Sequence, residues 1–367
     1  MEWWTRALED LVMTMSLWKG RRVFLTGHTG FIGSWLALYL ESRGAIVYGL
    51  ALDPPTDPNL FNLARVGDAL RKDERGDIRD ARLVAAALRA AAPDIVFHLA
   101  AQPLVLRSYA DPCETYAVNV LGTVNVLEAV RLVGDVRAVV VMTSDKCYAN
   151  SGAGQVFREG DALGGHDPYS SSKACTELVT AAYRDSYFLP TNTCFIATVR
   201  AGNVVGGGDW QKDRLVPDCV RAVMTGKPVV VRNPTAIRPW QHVLEVVSGC
   251  ERLGYQLLGP SGAAYAAPWN LGPDDQGVLT AKTVADDVMA LLRGEVHVSL
   301  PDGPPREAPV LRIDNAQARR HLQWQPRWDA RRAIQETARW YKAFIEQGDV
   351  AALTRAQIEE FFESTAA

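Results

Sequence analysis

The sequence predicts a doubly wound α/β fold: a parallel sheet covered by helices on both faces, followed by a smaller lobe. Two observations carry that expectation. From Arg21 to about Asn203, short apolar and β-branched runs alternate with longer helical segments. Several of those runs are apolar throughout rather than at every second residue, the pattern of strands buried on both faces. Strand–helix alternation of this kind builds a parallel sheet through right-handed crossovers.

Taken in order, Val23-Phe24-Leu25-Thr26 reads as the first strand and Phe31 to Arg43 as the first helix. Ile46 to Leu52 is a second strand, and Ala81 to Ala91 an alanine-rich helix. Ile95 to Leu99, Ala138 to Met142 and Phe195 to Arg200 are further buried strands, and Val118 to Leu132 and Ser170 to Tyr183 are long helical patterns. Beyond Gly206 the texture changes, because a glycine triplet and several prolines interrupt shorter elements. Leu244 to Leu258 is helical and Trp269 to Gly272 a strand, and one or both are expected to return to the sheet. Gly259 to Pro268 and Pro301 to Pro309 read as loops. The expected division is an N-terminal extension over 1–20, a dinucleotide-binding domain over 21–205, and a mainly substrate-binding lobe over 206–367, with parts of about 241–272 rejoining the first domain.

A formal charge of -3 does not suit a nucleic-acid binder. The six cysteines are scattered without a CxxC pair, which argues against a metal site or a disulfide framework and for a reducing cytoplasm. No stretch reads as a membrane span. The residues before Lys19 lack a basic n-region and a small-residue cleavage site, so they read as an accessory helix without assigned chemistry.

Gly27-His28-Thr29-Gly30-Phe31-Ile32-Gly33 sets glycines three apart where the first strand turns into the first helix. Glycine there permits the tight bend, and backbone N–H groups of Gly30, Phe31 and Ile32 can approach a pyrophosphate. Gly33 lets helix and sheet pack closely. Asp53, at the end of the second strand, is the expected acceptor for the adenosine ribose hydroxyls. It favours NAD over NADP, although turn chemistry before Pro54-Pro55 is its plainer role. Asp77 and Ile78 suit an adenine contact or a helix N-cap region.

Tyr169 and Lys173 are four apart, so a helix puts them on one face. A phenol titrates near ~10, too high for a base at neutral pH. An ammonium about 4 Å away is worth roughly 4 kcal/mol at an effective dielectric of about 20, equivalent to about three pKa units before desolvation. Lys173 is therefore expected both to activate Tyr169 and to hold the nicotinamide ribose. Thr143, at a strand end, is placed to share a hydrogen bond with a substrate oxygen. Asp145 can act as an acid if burial keeps it protonated, and otherwise caps a loop. His28, His166 and His242 show no partner pattern for a triad or metal and read as structural.

These segments resemble the extended short-chain dehydrogenases/reductases, and within them the CDP-D-glucose 4,6-dehydratase branch. The resemblance spans about Trp18 to Trp328. It is carried by Thr26 to Phe31, His98 to Pro103, Thr143 to Tyr148, Asp167 to Lys173, Arg200 to Trp210 and Arg238 to Val243. The glycine and YxxxK patterns mark only the superfamily. Asp145-Lys146, where related dTDP-sugar enzymes carry Asp-Glu, marks the branch together with Arg238-Pro239-Trp240-Gln241-His242.

The resemblance implies a Rossmann-type domain, NAD as cofactor and a nucleotide-sugar substrate. Thr143, Asp145, Lys146, Tyr169 and Lys173 would be catalytic, with Lys146 either the base at C5 or an electrostatic stabiliser. Ala100 and Ala101 would join the cofactor site. Gln102 would approach the nicotinamide or hexose, or else satisfy backbone groups. Arg238 and Asn203, then Arg214 and Arg232, are the candidates for the nucleotide-sugar pocket. Pairing of the two long helices across a two-fold axis implies a homodimer or homotetramer. A nucleotide-sugar 4-epimerase is the nearest alternative, and a non-catalytic NAD-binding regulator a more distant one.

Overall fold

The computed structural model describes residues 17–274, 278–298 and 310–363. Its centre is a seven-stranded sheet built from β1 (Arg22–Thr26), β2 (Ile46–Ala51), β3 (Lys72–Arg75), β4 (Ile95–His98), β5 (Ala138–Met142), β6 (Phe195–Ala201) and β7 (Pro268–Leu271). All neighbours are parallel, in the order β7-β6-β5-β4-β1-β2-β3. The chain winds outward from β1 to β3, then crosses back to β4 and winds the other way. That reversal opens a crevice at the carboxyl ends of β1 and β4, where such sheets bind ligands.

Successive residues on the inner strands serve opposite faces. Val23, Leu25 and Val140 join one apolar core, whereas Phe24, Val139 and Val141 join another. The second core is closed by α2 (Ala81–Ala91) and α3 (Pro112–Val133). The first is closed by α1 (Phe31–Ser42) and α6 (Val243–Leu258). Each fully buried leucine or valine contributes about 1.5–3 kcal/mol by leaving water, so two-sided burial explains why these strands carry no polar face.

The longer of the remaining helices are α4 (Pro168–Tyr183), α5 (Leu215–Thr225), α7 (Ala281–Leu292), α8 (Ala330–Ile345) and α9 (Val350–Glu363). In the smaller lobe, Val229–Val231 pairs with Val296–Val298, and Ile237–Pro239 with Val278–Thr280.

β7 pairs with β6 in the sheet, and α6 packs in the core beside it. α9 joins the same core, which the sequence does not signal: Phe362 stacks on Tyr39 of α1 at 4.2 Å, and Arg355 pairs with Glu41 at 2.9 Å. Trp18, expected in an extension, is fully buried and donates its indole N–H to Glu251 at 3.2 Å. The expected helix before it and the loop at Pro301–Pro309 fall largely or wholly outside the described residues.

One expectation needs correction. Helix α3 is 22 residues long and contains a stretch with a mean hydropathy of 1.3, enough by length and composition to cross a membrane. Its apolarity has a core explanation, because Val126, Leu127 and Val130 are buried with the sheet.

Candidate active site

The turn after β1 is shaped by its glycines. Gly27 has φ +77°, and a Cβ there would lie 2.7 Å from the backbone N of Ala100. A Cβ on Gly33 would collide with the carbonyl of Gly27. No side chain caps the start of α1 at Gly30, which leaves its first N–H groups directed at the crevice. Thr26 stitches this turn to the end of β4: its hydroxyl accepts from the N–H groups of Leu99 and Ala100 and pairs with Nδ1 of His98 at 2.7 Å. Asp53 follows β2 and is exposed, with Arg75 at 3.7 Å. Asp77 is clamped by Arg79, while Ile78 is buried and packs against Gly122 of α3. Asn125 of α3 donates to the carbonyl of Ile78 at 2.9 Å.

The carboxyl end of β5 meets the start of α4. Asp167 caps α4 by accepting from the N–H of Ser170, and Pro168 occupies its first turn, so the helix begins sharply one residue before Tyr169. Tyr169 and Lys173 share a face and line a cleft of about 1050 Å³ together with Thr143, Ser144, Asp145 and Lys146. The phenol of Tyr169 is buried, and the nearby hydroxyl of Ser144 favours its ionised form. That hydroxyl also donates to Asp145 Oδ1 at 3.1 Å and caps the short turn Asp145–Cys147.

Thr143 is placed differently from expectation. Its Oγ1 donates to Glu177 Oε1 at 2.5 Å and lies 3.1 Å from the carbonyl of Val199. Thr143 is still paired with β6 through its own N–H, and adjacent residues of extended chain point to opposite sides. The hydroxyl beside the phenol therefore belongs to Ser144. The run Thr143-Ser144 offered two hydroxyls, and only strand alternation could have separated them.

The electrostatics also depart from expectation. Burial pushes the phenol of Tyr169 up to about 12, against the pull of Ser144 and of Arg214. Lys173 does not lower it as the spacing alone implied, because its ammonium donates to the carbonyl of Met142 at 3.2 Å. Burial lowers Lys173 to about 8, with Glu177 pulling the other way.

Asp145 is buried and lies so close to Gly202 that a Cβ there would overlap its carboxylate. Glycine at the end of β6 thus makes room for the acid, a role invisible in one sequence.

On the far wall of the cleft stand Asn203, Arg214, Arg232 and Arg238, brought together from separate segments. Asn203 holds a left-handed backbone at φ 38°, and its carbonyl accepts from the N–H of Gln241. Arg214 pairs with Asp209 at 2.8 Å, and Arg232 pairs with Asp213 at 3.0 Å. Arg238 is buried and donates to the carbonyl of Ile237.

Gln102 does not join them. Its amide donates to Leu104 O and Thr115 Oγ1, its carbonyl accepts from Leu104 N, and its backbone is held by Asn119. It satisfies its own loop. His28 is buried against Asp73 at 2.7 Å, and the ring of His242 packs against those of Trp35 and Trp328, so both are structural.

Residues 23–258 match the NAD dependent epimerase/dehydratase family. The chain belongs to that family. Among its relatives in the epimerase/dehydratase family, the CDP-glucose 4,6-dehydratase of Salmonella typhimurium is 46% identical over 356 residues, covering 95% of this chain and 98% of that protein. The dTDP-glucose 4,6-dehydratase of Xanthomonas campestris pv. campestris is 30% identical, covering 86% of this chain and 92% of that protein. Among solved structures, the dTDP-glucose 4,6-dehydratase DesIV of Streptomyces venezuelae, with NAD and TYD bound, superimposes with a TM-score of 0.74 at 25% identity. That match covers 89% of this chain and 98% of DesIV.

The epimerase/dehydratase family uses NAD, and the residues here fit it. The cradle at Gly27 and Gly33 is one that a side chain would fill, and the uncapped start of α1 offers donors for a pyrophosphate. The carboxylate of Asp53 stands at the end of β2, suited to ribose hydroxyls.

Proposed function

We propose that the chain is a hydro-lyase that converts CDP-D-glucose to CDP-4-keto-6-deoxy-D-glucose with NAD as a recycled cofactor. The observation that carries this reading is the 46% identity, nearly end to end, with the Salmonella CDP-glucose 4,6-dehydratase. The chemistry NAD supplies when bound is reversible hydride transfer, out of C4 and back into C6.

The chain's own residues handle the protons. Tyr169 Oη takes the proton of the C4 hydroxyl, and Ser144 Oγ hydrogen-bonds the same oxygen. Lys173 holds the nicotinamide ribose. With a ketone at C4, the C5 proton becomes acidic. Lys146, on the cleft wall, serves that step as base or as electrostatic partner of the enolate. Asp145, buried on the cleft wall, delivers a proton to the departing C6 hydroxyl. An epimerase needs no such acid.

Arg238, Arg214, Arg232 and Asn203 are assigned to the nucleotide diphosphate, since guanidinium forks match phosphate oxygens. Exposed Leu121 and Leu132 on the α3 helix, with Leu178 on α4 and Tyr187 just beyond it, suit a homodimer. Six free thiols fit a cytoplasmic setting.

The test is to incubate the purified protein and NAD separately with CDP-, dTDP-, UDP- and GDP-glucose. Loss of one water from CDP-glucose, far ahead of the others, is the expected result. Equal turnover of all four defeats the nucleotide assignment, and an inverted hexose defeats the reaction. Lys146→Ala that still exchanges deuterium at C5 and turns over normally removes Lys146 from the mechanism.

A further inference from the structure

Tyr169, Lys173 and Glu177 repeat at four-residue spacing and so share one face of α4. Glu177 is buried, and both of its oxygens are engaged. Oε1 accepts from Thr143, and Oε2 accepts from Thr198 Oγ1 and from Arg200 Nη2, each at 2.8 Å. Arg200 in turn donates to the Tyr148 hydroxyl at 2.9 Å, and Tyr148 donates to Asn270 at 2.6 Å. One carboxylate therefore ties α4 to β5, β6 and β7 directly beneath the cleft.

Two consequences follow from this placement. Thr143 stands between Met142, whose carbonyl takes the Lys173 ammonium, and Ser144, whose hydroxyl meets the Tyr169 phenol. Fixing Thr143 fixes both neighbours. The second consequence is electrostatic. The titratable groups that bear on Lys173 are Glu177 on its own helix, the thiol of Cys147, and the imidazole of His98 on β4. Burial pushes the Cys147 thiol up and lowers His98 to about 3, so both are neutral at physiological pH. Glu177, paired with an always-charged guanidinium, is the anion among them.

We propose that Glu177 is a positioning residue for catalysis, anchoring the strand end that orients Ser144 and Lys173 and keeping the Lys173 ammonium charged in its buried site. This rests on the catalytic reading of Tyr169 and Lys173 given above, and its test is separable from that reading. The variants are Glu177→Gln and, to avoid leaving Arg200 buried without a counter-charge, Glu177→Gln/Arg200→Met.

The first readout is the pH dependence of Lys173 acetylation by acetic anhydride, followed by peptide mass spectrometry on the full chain without substrate. The wild-type midpoint is expected near 8. Removal of a neighbouring opposite charge is expected to lower it by about one pH unit in both variants. The second readout is the pH profile of kcat on CDP-glucose, whose alkaline limb is expected to move down by the same amount with KM little changed. A folded variant that labels and turns over with the wild-type midpoint overturns the proposal. If Glu177→Gln does not fold, the double variant decides by the same criteria. A lowered labelling midpoint in an enzyme whose wild type turns over no nucleotide sugar supports the role of Glu177 toward Lys173, and overturns the function instead.

Discussion

The hydroxyl of Ser144 bears on the ionisation of the Tyr169 phenol, while its neighbour Thr143 donates instead to Glu177. Two adjacent hydroxyls at one strand end thus have different work: one faces the reacting oxygen and the other ties the strand to the helix below. Ser144→Ala is expected to lower kcat about a hundredfold, the scale of losing one preorganised donor, with little change in melting. Thr143→Val is expected to cost mainly stability, roughly 1.5–3 kcal/mol for a hydrogen bond to a buried charged group, with a smaller loss of kcat as the strand end loosens. Parallel measurement of kcat and urea unfolding separates the two. Equal loss of kcat in both variants would refute the division of roles.

Lys173 sets an alkaline limit. Burial lowers its ammonium to about 8, so it is charged below that pH and neutral above it. Activity is expected to fall about tenfold per pH unit above that point, as the ammonium assigned to the nicotinamide ribose loses its charge. Lys173→Arg keeps its charge at every accessible pH and is expected to flatten that limb, at a lower overall rate. A kcat profile from pH 6 to 10 that falls identically in both proteins assigns the limb to another group.

Gly202 makes space for the carboxylate of Asp145. A methyl group there must displace either the acid or the end of β6. Gly202→Ala is expected to slow water loss about a hundredfold, since misplacement by about 1 Å costs that much. Reduced cofactor should accumulate, because oxidation at C4 does not use Asp145. Unchanged dehydration would show that the acid tolerates displacement.

The sheet was legible because its strands are buried on both faces: β4 and β5 are apolar at nearly every position, and their boundaries follow the sequence to within a residue. β3 was not. Lys72-Asp73-Glu74-Arg75 carries no apolar signal, since an edge strand with solvent beside it suits charged side chains. The YxxxK pair was legible from helical spacing, and the same spacing extended one turn would have found Glu177. Gln102 misled because its environment is its own loop, a closure that depends on Asn119 of α3 and on no local pattern. The choice between Thr143 and Ser144 needed the pairing register of β5 with β6, which is a property of two segments far apart in the chain.

A buried acid in α6 gives the fold its own pH dependence. Glu245 Oε1 accepts from the N–H groups of Arg327 and Trp328 at 2.9 and 2.7 Å, anchoring the segment that leads into α8. Burial raises its carboxyl from 4.5 to about 8. Below pH 4.5 the folded and unfolded chains are both protonated there, and the group costs nothing. Between 4.5 and about 8 the unfolded chain ionises while the folded one holds its proton, so stability falls by about 1.4 kcal/mol per pH unit. Glu251, raised to about 7 by burial, adds its own loss over the lower part of that range. The urea midpoint of the wild type is therefore expected to drop between pH 5 and pH 8. In Glu245→Gln the decline should be shallower and end near pH 7, where Glu251 finishes titrating. Identical slopes in the two proteins would mean that Glu245 is ionised in the folded state, with a counter-charge drawn to it.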